Sequence, residues 1–230
     1  MTRQKFRYVQ DGMGYPSVTE ILKTIPKPGL QKWRDRTPDA DIISRDRATI
    51  GTTVHWKIQR YFADKFNMPP EPFKVDDLSV ISHFTSKCSL NTCGLCKRKK
   101  AMVYAIEVLF SYFEDFIDQY NLTPFMLEKT VYSELGYAGT LDFYGEVNGQ
   151  LAIVDWKTSR GFFDPCTWHA QLAAYKKALR NDVEILYVLR MHEENWWEFR
   201  EMDNDWKTFE NALSMYKEQK PERLMQKVNL

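Results

Sequence analysis

Apolar residues recur every three to four positions in four parts of the chain, which is the spacing of an amphipathic helix. This spacing predicts helices at residues 45–66, 101–120, 166–180 and 204–219. The pattern is clearest over 101–120, where the apolar side chains share one helical face. Near the start, Ser17 followed by Glu20 is typical of a capping box and predicts one more short helix.

Between these helices, apolar and polar residues alternate, which predicts strands. The predicted strands cover residues 125–133, 137–147, 150–157, 183–191 and 195–201. The dipeptide Asn148-Gly149 between two of them predicts a two-residue hairpin turn, because both turn positions need a positive φ. This order of elements predicts an α/β (α+β) fold, with a central mixed β-sheet flanked by helices and a helical region at the N-terminus.

The predicted hairpin places acidic residues opposite each other. If Val147 faces Gln150, then Asp142 faces Asp155, and Lys157 lies on the same face of the sheet. Facing carboxylates repel each other, and a divalent cation of the Mg²⁺ or Mn²⁺ kind would offset that repulsion. The alternative is a pair of solvated carboxylates with Lys157 as counter-ion. The opposite face is predicted to be core, with Leu141, Phe143, Val154 and Trp156.

Three further polar residues are candidates for the same site. Gln171 and Tyr175 are four residues apart, so they share one face of the helix that follows the hairpin. His55 follows the small residues 51–53, which would let a helix approach a metal or the backbone closely. Taken alone, each of these residues is also compatible with a purely structural role.

Residues 73–100 are polar and rich in Cys, which indicates an insertion within the domain. The spacing of Cys88, Cys93 and Cys96, with His83 upstream, fits a zinc site. With Cys166 as a fourth thiolate, the same spacing fits an iron–sulfur cluster. Free thiols are the third interpretation.

The charge of the chain is unevenly distributed. Residues 1–100 contain 19 Lys and Arg against 10 Asp and Glu, whereas residues 101–230 contain 13 against 21. This asymmetry indicates either a polyanionic partner or neutralisation between the halves. The insertion ends in four consecutive basic residues, which either contact phosphate or begin a solvated helix. They are Lys97, Arg98, Lys99 and Lys100.

Composition limits the class of protein. Hydrophobic residues make up 43% of the 230 residues and charged residues 27%, which excludes extensive disorder. No apolar run approaches the ~18 residues of a membrane span, and the first residues lead into no apolar signal segment. We therefore expect no membrane association and a cytoplasmic location, in the host cytoplasm if a phage or virus encodes the chain.

Five segments together resemble the PD-(D/E)XK nuclease superfamily, and above all its RecB-like exonucleases. That branch includes phage-type exonucleases, the mitochondrial genome maintenance exonuclease and the CRISPR-adaptation nucleases. The segments occur in the family's order: YPSVTEIL at 15–22, GTTVH at 51–55, GTLD at 139–142, IVDWKTS at 153–159 and QLAAY at 171–175. The Cys arrangement departs from relatives with an iron–sulfur cluster, which carry one Cys before the nuclease core and three after it.

The resemblance implies a single nuclease domain over residues 1–230 with a restriction-endonuclease-like core. It implies one or two Mg²⁺ or Mn²⁺ ions held by His55, Asp142, Asp155 and the Trp156 carbonyl. Lys157 would position the water and neutralise charge in the transition state. Gln171 and Tyr175 would orient the scissile phosphate. Glu128 matches an acidic position of the family less closely and is assigned with residues 97–100 to DNA contact.

The predicted function is hydrolysis of phosphodiester bonds from DNA ends by a metal-dependent exonuclease, in recombination, repair or replication. The substrate would be DNA that is single-stranded or has free ends, and a recombination or replication protein would be a further partner. One alternative is a structure-specific or site-specific DNA endonuclease of the same fold. Another is a nucleic-acid-binding module on an inactive nuclease scaffold.

Overall fold

The computed structural model describes residues 6–69, 94–159, 165–194 and 196–228. The N-terminal part begins with a small hairpin, followed by three helices and a 3₁₀ turn. In order these are β1 (Tyr8–Gln10), β2 (Met13–Tyr15), α1 (Val18–Ile21), the 3₁₀ turn Leu22–Thr24, α2 (Pro28–Arg36) and α3 (Ala40–Phe66). Pro26 lies between the 3₁₀ turn and α2, where a helix does not continue because proline has no backbone N–H to donate.

The second part starts with a long helix, α4 (Gly94–Gln119), which begins seven residues before the predicted position. It continues with β3 (Leu122–Ser133), β4 (Tyr137–Val147), β5 (Gln150–Lys157), α5 (Pro165–Leu179), β6 (Ile185–His192), β7 (Trp196–Glu201) and α6 (Trp206–Gln219). A 3₁₀ turn, Pro221–Arg223, and the short strand β8 (Gln226–Lys227) follow. The basic residues 97–100 therefore lie in the first turns of α4.

The five long strands form one mixed sheet in the order β3-β4-β5-β6-β7. Only the pair β5–β6 is parallel, because α5 connects these strands as a crossover, and the other neighbours are antiparallel. A second sheet joins the N-terminal hairpin to the C-terminal strand in the order β1-β2-β8. The predicted α/β (α+β) fold with a helix-flanked mixed sheet is thus confirmed.

The hairpin β4–β5 has the predicted register. Val147 pairs with Gln150, and the pairing continues to Phe143 opposite Val154. The turn residues Asn148 and Gly149 have φ values of 52° and 83°, as a two-residue turn of this kind requires. The paired ladder stops one step before Asp142 and Asp155, at the edge where the candidate site lies.

Each face of the sheet carries a core. Helices α3 and α4 cover one face, where Phe62 and Phe113 pack against Phe143 and Trp156. Helices α1, α5 and α6 cover the other face, with Tyr137 and Phe209 in contact. The side chains of both cores are almost fully buried, so the sheet is covered on both faces as in other α/β proteins.

The predicted core face is wrong at one residue. Phe143, Val154 and Trp156 belong to the core under α3 and α4, but Leu141 belongs to the core under α5 and α6. The predicted faces rested on the β4–β5 pairing, which ends at Phe143 and Val154. Leu141 lies beyond this paired segment, and the alternation of β4 changes between Phe143 and Leu141.

The short helix α1 is stabilised by its own N-cap and by contacts with residues near the C-terminus. Ser17 Oγ accepts a hydrogen bond from Glu20 N at 3.0 Å, which confirms the predicted N-cap. The Glu20 carboxylate accepts from Tyr216 Oη at 3.0 Å and pairs with Arg223, rather than closing the capping box. Ala138 N donates to Pro16 O, so α1 lies directly beside β4.

Among the described helices, none combines the length and the apolar character that a membrane span requires.

Candidate active site

A cleft of about 860 Å³ lies at the edge of the sheet where the β4–β5 ladder ends. Helix α3 forms one wall, and β1 with the start of α1 forms the opposite wall. Eight of the predicted site residues line this cleft: His55, Glu128, Asp142, Asp155, Trp156, Lys157, Gln171 and Tyr175. Residues from five different elements thus meet at one place.

Asp155, Lys157, Gln171 and Tyr175 form one continuous network. Lys157 Nζ lies 2.5 Å from Asp155 Oδ2 and donates to Gln171 Oε1 at 3.0 Å. Gln171 Nε2 donates to Asp155 Oδ1 and to Tyr175 Oη, each at 3.0 Å. The amide of Gln171 therefore holds the carboxylate, the ammonium and the phenol in fixed positions.

Burial changes the acid–base properties of this network. Asp155 is 2% exposed, and burial raises its pKa to about 6, although Lys157 acts in the opposite direction. Burial also raises the pKa of Tyr175 well above its ordinary value, and the negative charge of Asp155 adds to the effect. Tyr175 is consequently a neutral phenol at physiological pH, with its hydroxyl oxygen accepting from Gln171.

His55, Glu128 and Asp142 form a second group beside this network. His55 Nδ1 lies 3.4 Å from Glu128 Oε1 and 3.5 Å from Asp142 Oδ1. The other ring nitrogen, Nε2, lies 3.0 Å from the Trp156 carbonyl oxygen. Asp142 Oδ2 accepts from Trp156 N at 2.8 Å, which replaces the ladder hydrogen bond that would continue the hairpin.

This second group fits a divalent cation. His55, Glu128 and Asp142 each offer one ligand atom, and these three atoms lie within 4.8 Å of one another. Glu128 Oε1 is buried and makes no hydrogen bond, and a buried carboxylate oxygen in that state needs a positive partner. Two carboxylates and an imidazole are ligands found together in divalent metal sites. The residues present therefore fit a metal site.

The charge of His55 supports the same conclusion. Burial lowers its pKa, but Asp142 and Glu128 outweigh burial and raise the pKa well above 6.5. In this arrangement the imidazolium supplies the positive charge that the two carboxylates require. A cation that binds here would have to displace that proton, so metal binding and proton release are coupled.

Two glycines allow the elements to come this close. A Cβ atom on Gly51 of α3 would lie 2.8 Å from Thr158 Oγ1, so glycine lets α3 approach the end of β5 without displacing that hydroxyl. A Cβ atom on Gly139 of β4 would lie 2.5 Å from a ring carbon of Tyr175. Both glycines begin short segments noted in the sequence, at 51–55 and 139–142. The sequence did not show that these glycines contact Thr158 and Tyr175.

Sequence reasoning missed several residues that line the cleft. Tyr8 Oη lies 3.1 Å from Thr140 Oγ1, which in turn lies 3.4 Å from Thr130 Oγ1. Arg7 and Arg47 also line the cleft, and Arg47 Nη1 pairs with Glu193 at 2.5 Å. No spacing in the sequence connects β1 with β4, so nothing but the tertiary contact identifies this row of hydroxyls.

Glu128 lies in the metal-fitting group and is separate from the basic run with which it was assigned. Within the basic run, the Arg98 guanidinium pairs with both carboxylate oxygens of Asp46 on α3. Lys97 and Lys100 are exposed to solvent, and Lys99 is partly exposed. DNA contact by this run stays a prediction.

The Cys cluster is largely beyond the part of the chain that the structure describes. His83, Cys88 and Cys93 lie outside the described residues, and for Cys96 the description covers the backbone of α4 alone. Cys166 is exposed in the first turn of α5. The zinc, iron–sulfur and free-thiol interpretations all stay predictions.

No curated protein sequence matches the chain significantly. Among solved structures, an alkaline exonuclease from Laribacter hongkongensis is similar, with 10% identity and a TM-score of 0.39 over 53% of this chain and 70% of the other. A candidate exonuclease from Eubacterium rectale is similar with 13% identity and a TM-score of 0.46, over 91% of this chain and 79% of the other.

The sequence profile of one family covers most of the chain. The profile of the PD-(D/E)XK nuclease superfamily matches residues 31–228, which include every residue of the cleft except those of β1 and α1. The buried Asp155 and Lys157 pair, the adjacent Asp142 and the mixed sheet agree with this match. The chain belongs to the PD-(D/E)XK nuclease superfamily.

Proposed function

We propose that the protein is a Mg²⁺- or Mn²⁺-dependent DNA exonuclease that hydrolyses phosphodiester bonds from DNA ends. One observation carries this proposal: an unsatisfied carboxylate group fit for a cation lies beside a lysine held between Asp155 and Gln171. Membership of a nuclease superfamily supports a nuclease and a nucleic-acid substrate. The choice of DNA, of ends and of the metal goes beyond that membership and belongs to the proposal.

In the proposed mechanism, Asp142, Glu128 and His55 would hold a divalent cation, and Asp155 and the Trp156 carbonyl would be further candidate ligands. A bound cation would polarise the phosphodiester and lower the pKa of an attacking water. Lys157 Nζ lies 2.5 Å from Asp155, in position to orient that water and to neutralise charge on the phosphorane-like transition state.

Gln171 and Tyr175 act by holding the reacting groups. The side-chain amide of Gln171 makes hydrogen bonds through both polar atoms, to Lys157, Asp155 and Tyr175. These bonds fix the direction in which Lys157 Nζ points. Tyr175 remains a phenol at neutral pH and supplies a neutral hydrogen-bonding group beside two carboxylates. A neutral group there binds a phosphate oxygen without adding negative charge to the cleft.

The depth of the site supports action at DNA ends. Asp142 is 8% exposed and Asp155 is 2% exposed, so the scissile phosphate has to enter the cleft between α3 and the N-terminal elements. A phosphate within a continuous duplex is flanked by the second strand, whereas a frayed or single-stranded end is free to enter. The depth of the cleft thus favours a frayed or single-stranded DNA end over a continuous duplex as the substrate.

The test is nuclease activity on end-labelled single-stranded and double-stranded DNA in the presence of EDTA, Mg²⁺ or Mn²⁺. We expect metal-dependent laddering from an end by the wild type. Asp155→Ala and Lys157→Ala should each lower the rate at least about 100-fold, because each removes a group at the reacting centre. The matched control is Asp182→Ala, an exposed carboxylate remote from the cleft, which should retain wild-type activity.

A covalently closed single-stranded circle separates the two modes of cleavage. We expect the circle to remain intact while its linearised form is degraded. Cleavage of the circle would replace the exonuclease by an endonuclease. Binding of DNA without cleavage under any metal would leave a nucleic-acid-binding module on an inactive scaffold.

The remaining predictions form part of the same proposal. They are a single nuclease domain over residues 1–230, an inserted segment at 73–100 with a zinc or iron–sulfur site, and phosphate contact by residues 97–100. A cytoplasmic setting and a role in recombination, repair or replication beside a protein partner complete it. An iron–sulfur cluster would colour the purified protein brown, and zinc would leave it colourless.

A further inference from the structure

Helix α2 is exposed along its whole length. Each of its nine residues, from Pro28 to Arg36, is exposed to solvent, including the large side chains of Leu30 at 47% and Trp33 at 36%. Leu30 and Trp33 are three residues apart and share one face of the helix. A helix that buries nothing gains little from folding onto its own protein, so this exposed apolar face calls for a partner.

The same segment is strongly basic. Residues 23–36, here called the helical arm, contain five Lys and Arg and one acidic residue, Asp35. Gln31 Nε2 donates to the Asp35 carboxylate at 2.8 Å. Within the described part of the chain, Lys32, Arg34 and Arg36 make no ion pair, and all three are exposed. The arm therefore presents an aromatic ring among cations that are not neutralised locally.

One hydrogen bond links the helical arm to the helix that carries Gln171. Lys27 Nζ, at the N-cap of α2, donates to Thr167 Oγ1 at 3.3 Å. Thr167 lies one helical turn before Gln171 on α5, and Gln171 contacts Asp155 and Lys157. From that contact α2 extends about 13 Å, since each helical residue adds about 1.5 Å. The start of the arm is thus anchored to an element of the proposed site.

We propose that the helical arm binds the single-stranded DNA segment that continues out of the cleft. In this arrangement Trp33 stacks on an unpaired base, with Leu30 beside it, and the cations Lys32, Arg34 and Arg36 contact phosphates. The inference deepens the proposed nuclease function and rests on it, because the same strand has to reach Asp155.

Charge and chemistry both favour this occupant. The arm is cationic and the strand is anionic, which gives complementary charge over the length of α2. A flat indole ring stacks on the face of any unpaired base, whereas bases within a duplex do not expose their faces. An acidic protein surface would satisfy the cations but would not use the ring in this way.

The first experiment measures binding separately from cleavage. A fluorescein-labelled 30-nucleotide strand is titrated in EDTA with the wild type, Trp33→Ala and the double variant Arg34→Ala/Arg36→Ala, and anisotropy gives each Kd. Trp33→Ala should weaken binding about 5- to 100-fold, the effect of losing one stacked base. The double variant should also lower the slope of log Kd against log salt by about 1.4, from about 0.7 for each lost phosphate contact.

Matched control variants lie elsewhere on the surface. Trp196→Ala removes an indole that is 50% exposed at the start of β7, and Lys217→Ala removes an exposed cation from α6. Both should retain the wild-type Kd. Equal affinity of wild type, Trp33→Ala and the double variant for the strand would overturn the inference.

The second experiment compares a long and a short substrate. Trp33→Ala should lower kcat/KM on the 30-nucleotide strand by the same 5- to 100-fold, through KM, and leave cleavage of a trinucleotide unchanged. Equal losses on both substrates would overturn the inference and indicate a structural effect on the site. Absence of cleavage of any substrate by the wild type would contradict the proposed function, while the binding result would still decide the inference.

The size of the protein in solution tests another occupant. Sedimentation of the wild type and Trp33→Ala at increasing protein concentration should show the same species. A concentration-dependent dimer that Trp33→Ala dissociates would overturn the inference, because a second copy of the chain would then cover α2.

Discussion

At the residue scale, Asp155 is a carboxyl group kept in an unfavourable environment. It is buried at the end of β5, and burial raises its pKa to about 6, above the value of about 3.9 for an unfolded chain. The folded protein therefore binds more protons than the unfolded chain between pH 4 and 6. The contribution of Asp155 to the stability of the metal-free protein must therefore fall as the pH rises through this window, and this loss is complete above pH 6.

Replacing Asp155 by Asn should remove this penalty. We expect Asp155→Asn to stabilise the metal-free protein at pH 8 by up to about 3 kcal/mol, since one pKa unit corresponds to about 1.4 kcal/mol. The gain should vanish near pH 4, where the wild-type carboxyl is protonated in both states. Urea denaturation in EDTA at the two pH values measures both effects. Asp182→Asn, at an exposed position, should show no gain, and a gain for Asp155→Asn that is independent of pH would contradict the argument.

Glu128 is the second residue whose role is decided locally. Its Oε1 atom is buried without a hydrogen bond and faces His55 Nδ1 at 3.4 Å. Its φ of 48° is costly for a residue other than glycine, and such strain is often stored at functional sites. The geometry indicates that the carboxylate is held in this position for a cation.

We expect Glu128→Gln to weaken Mn²⁺ binding at least about tenfold, because an amide oxygen carries no charge for the cation. Calorimetric titration of the protein with Mn²⁺ measures the Kd directly. Glu146→Gln, on β4 away from the cleft, is the matched control and should bind Mn²⁺ as the wild type does. Unchanged affinity in Glu128→Gln would exclude Glu128 from the metal site.

At the element scale, the site depends on how closely α3 lies against the end of β5. His55 on α3 lies 3.0 Å from the Trp156 carbonyl oxygen. Gly51, four residues earlier on the same helix, lies against Thr158. The helix on its own would prefer alanine at position 51 by about 1 kcal/mol. The glycine therefore serves the contact between two elements, at a small cost to the helix.

We expect Gly51→Ala to weaken Mn²⁺ binding and nuclease activity about tenfold or more, because a Cβ 2.8 Å from Thr158 Oγ1 forces α3 outward. Thr158→Ala removes the opposing oxygen, so the double variant Gly51→Ala/Thr158→Ala should recover most of the loss. A double-mutant cycle on the Mn²⁺ Kd measures this coupling. Additive effects of the two substitutions would show that the contact does not set the position of α3.

At the scale of the whole molecule, the metal-fitting group joins the helical layer of α3 to the sheet. His55 comes from α3, while Glu128 and Asp142 come from β3 and β4. A cation bound to all three would connect these layers in the folded state alone. Ligands that bind the native state only shift the unfolding equilibrium toward it.

Mn²⁺ at 100 times its Kd should therefore stabilise the protein by about 2.7 kcal/mol and raise the melting temperature. Because His55 has to lose a proton, and its pKa is raised well above 6.5, we expect weaker Mn²⁺ binding at pH 6 than at pH 8. Thermal unfolding with Mn²⁺ or EDTA at both pH values tests this. Asp142→Asn should abolish the shift, and an equal shift in that variant would place the cation elsewhere.

Much of the fold was predictable because local patterns agree with the final structure. The alternation on either side of Asn148-Gly149 set the β4–β5 register, which holds down to Phe143 and Val154. The amphipathic pattern of α4 predicted its buried face, although its start at Gly94 was placed too late because the first turns are polar and solvated. Leu141 was assigned to the wrong core because it lies beyond the end of the β4–β5 pairing, and the sequence does not show where that pairing stops.

The sequence by itself determined the hairpin that carries Asp142, Asp155 and Lys157, since a two-residue turn specifies which side chains face each other. Only the tertiary structure decided that Glu128 joins His55 and Asp142, that Tyr8 meets Thr140, and that α2 is exposed along its length. The reason is physical: short-range spacing fixes neighbours within an element or a tight turn. Contacts between distant elements depend on how their buried faces pack, and the spacing of residues along the chain does not encode that packing.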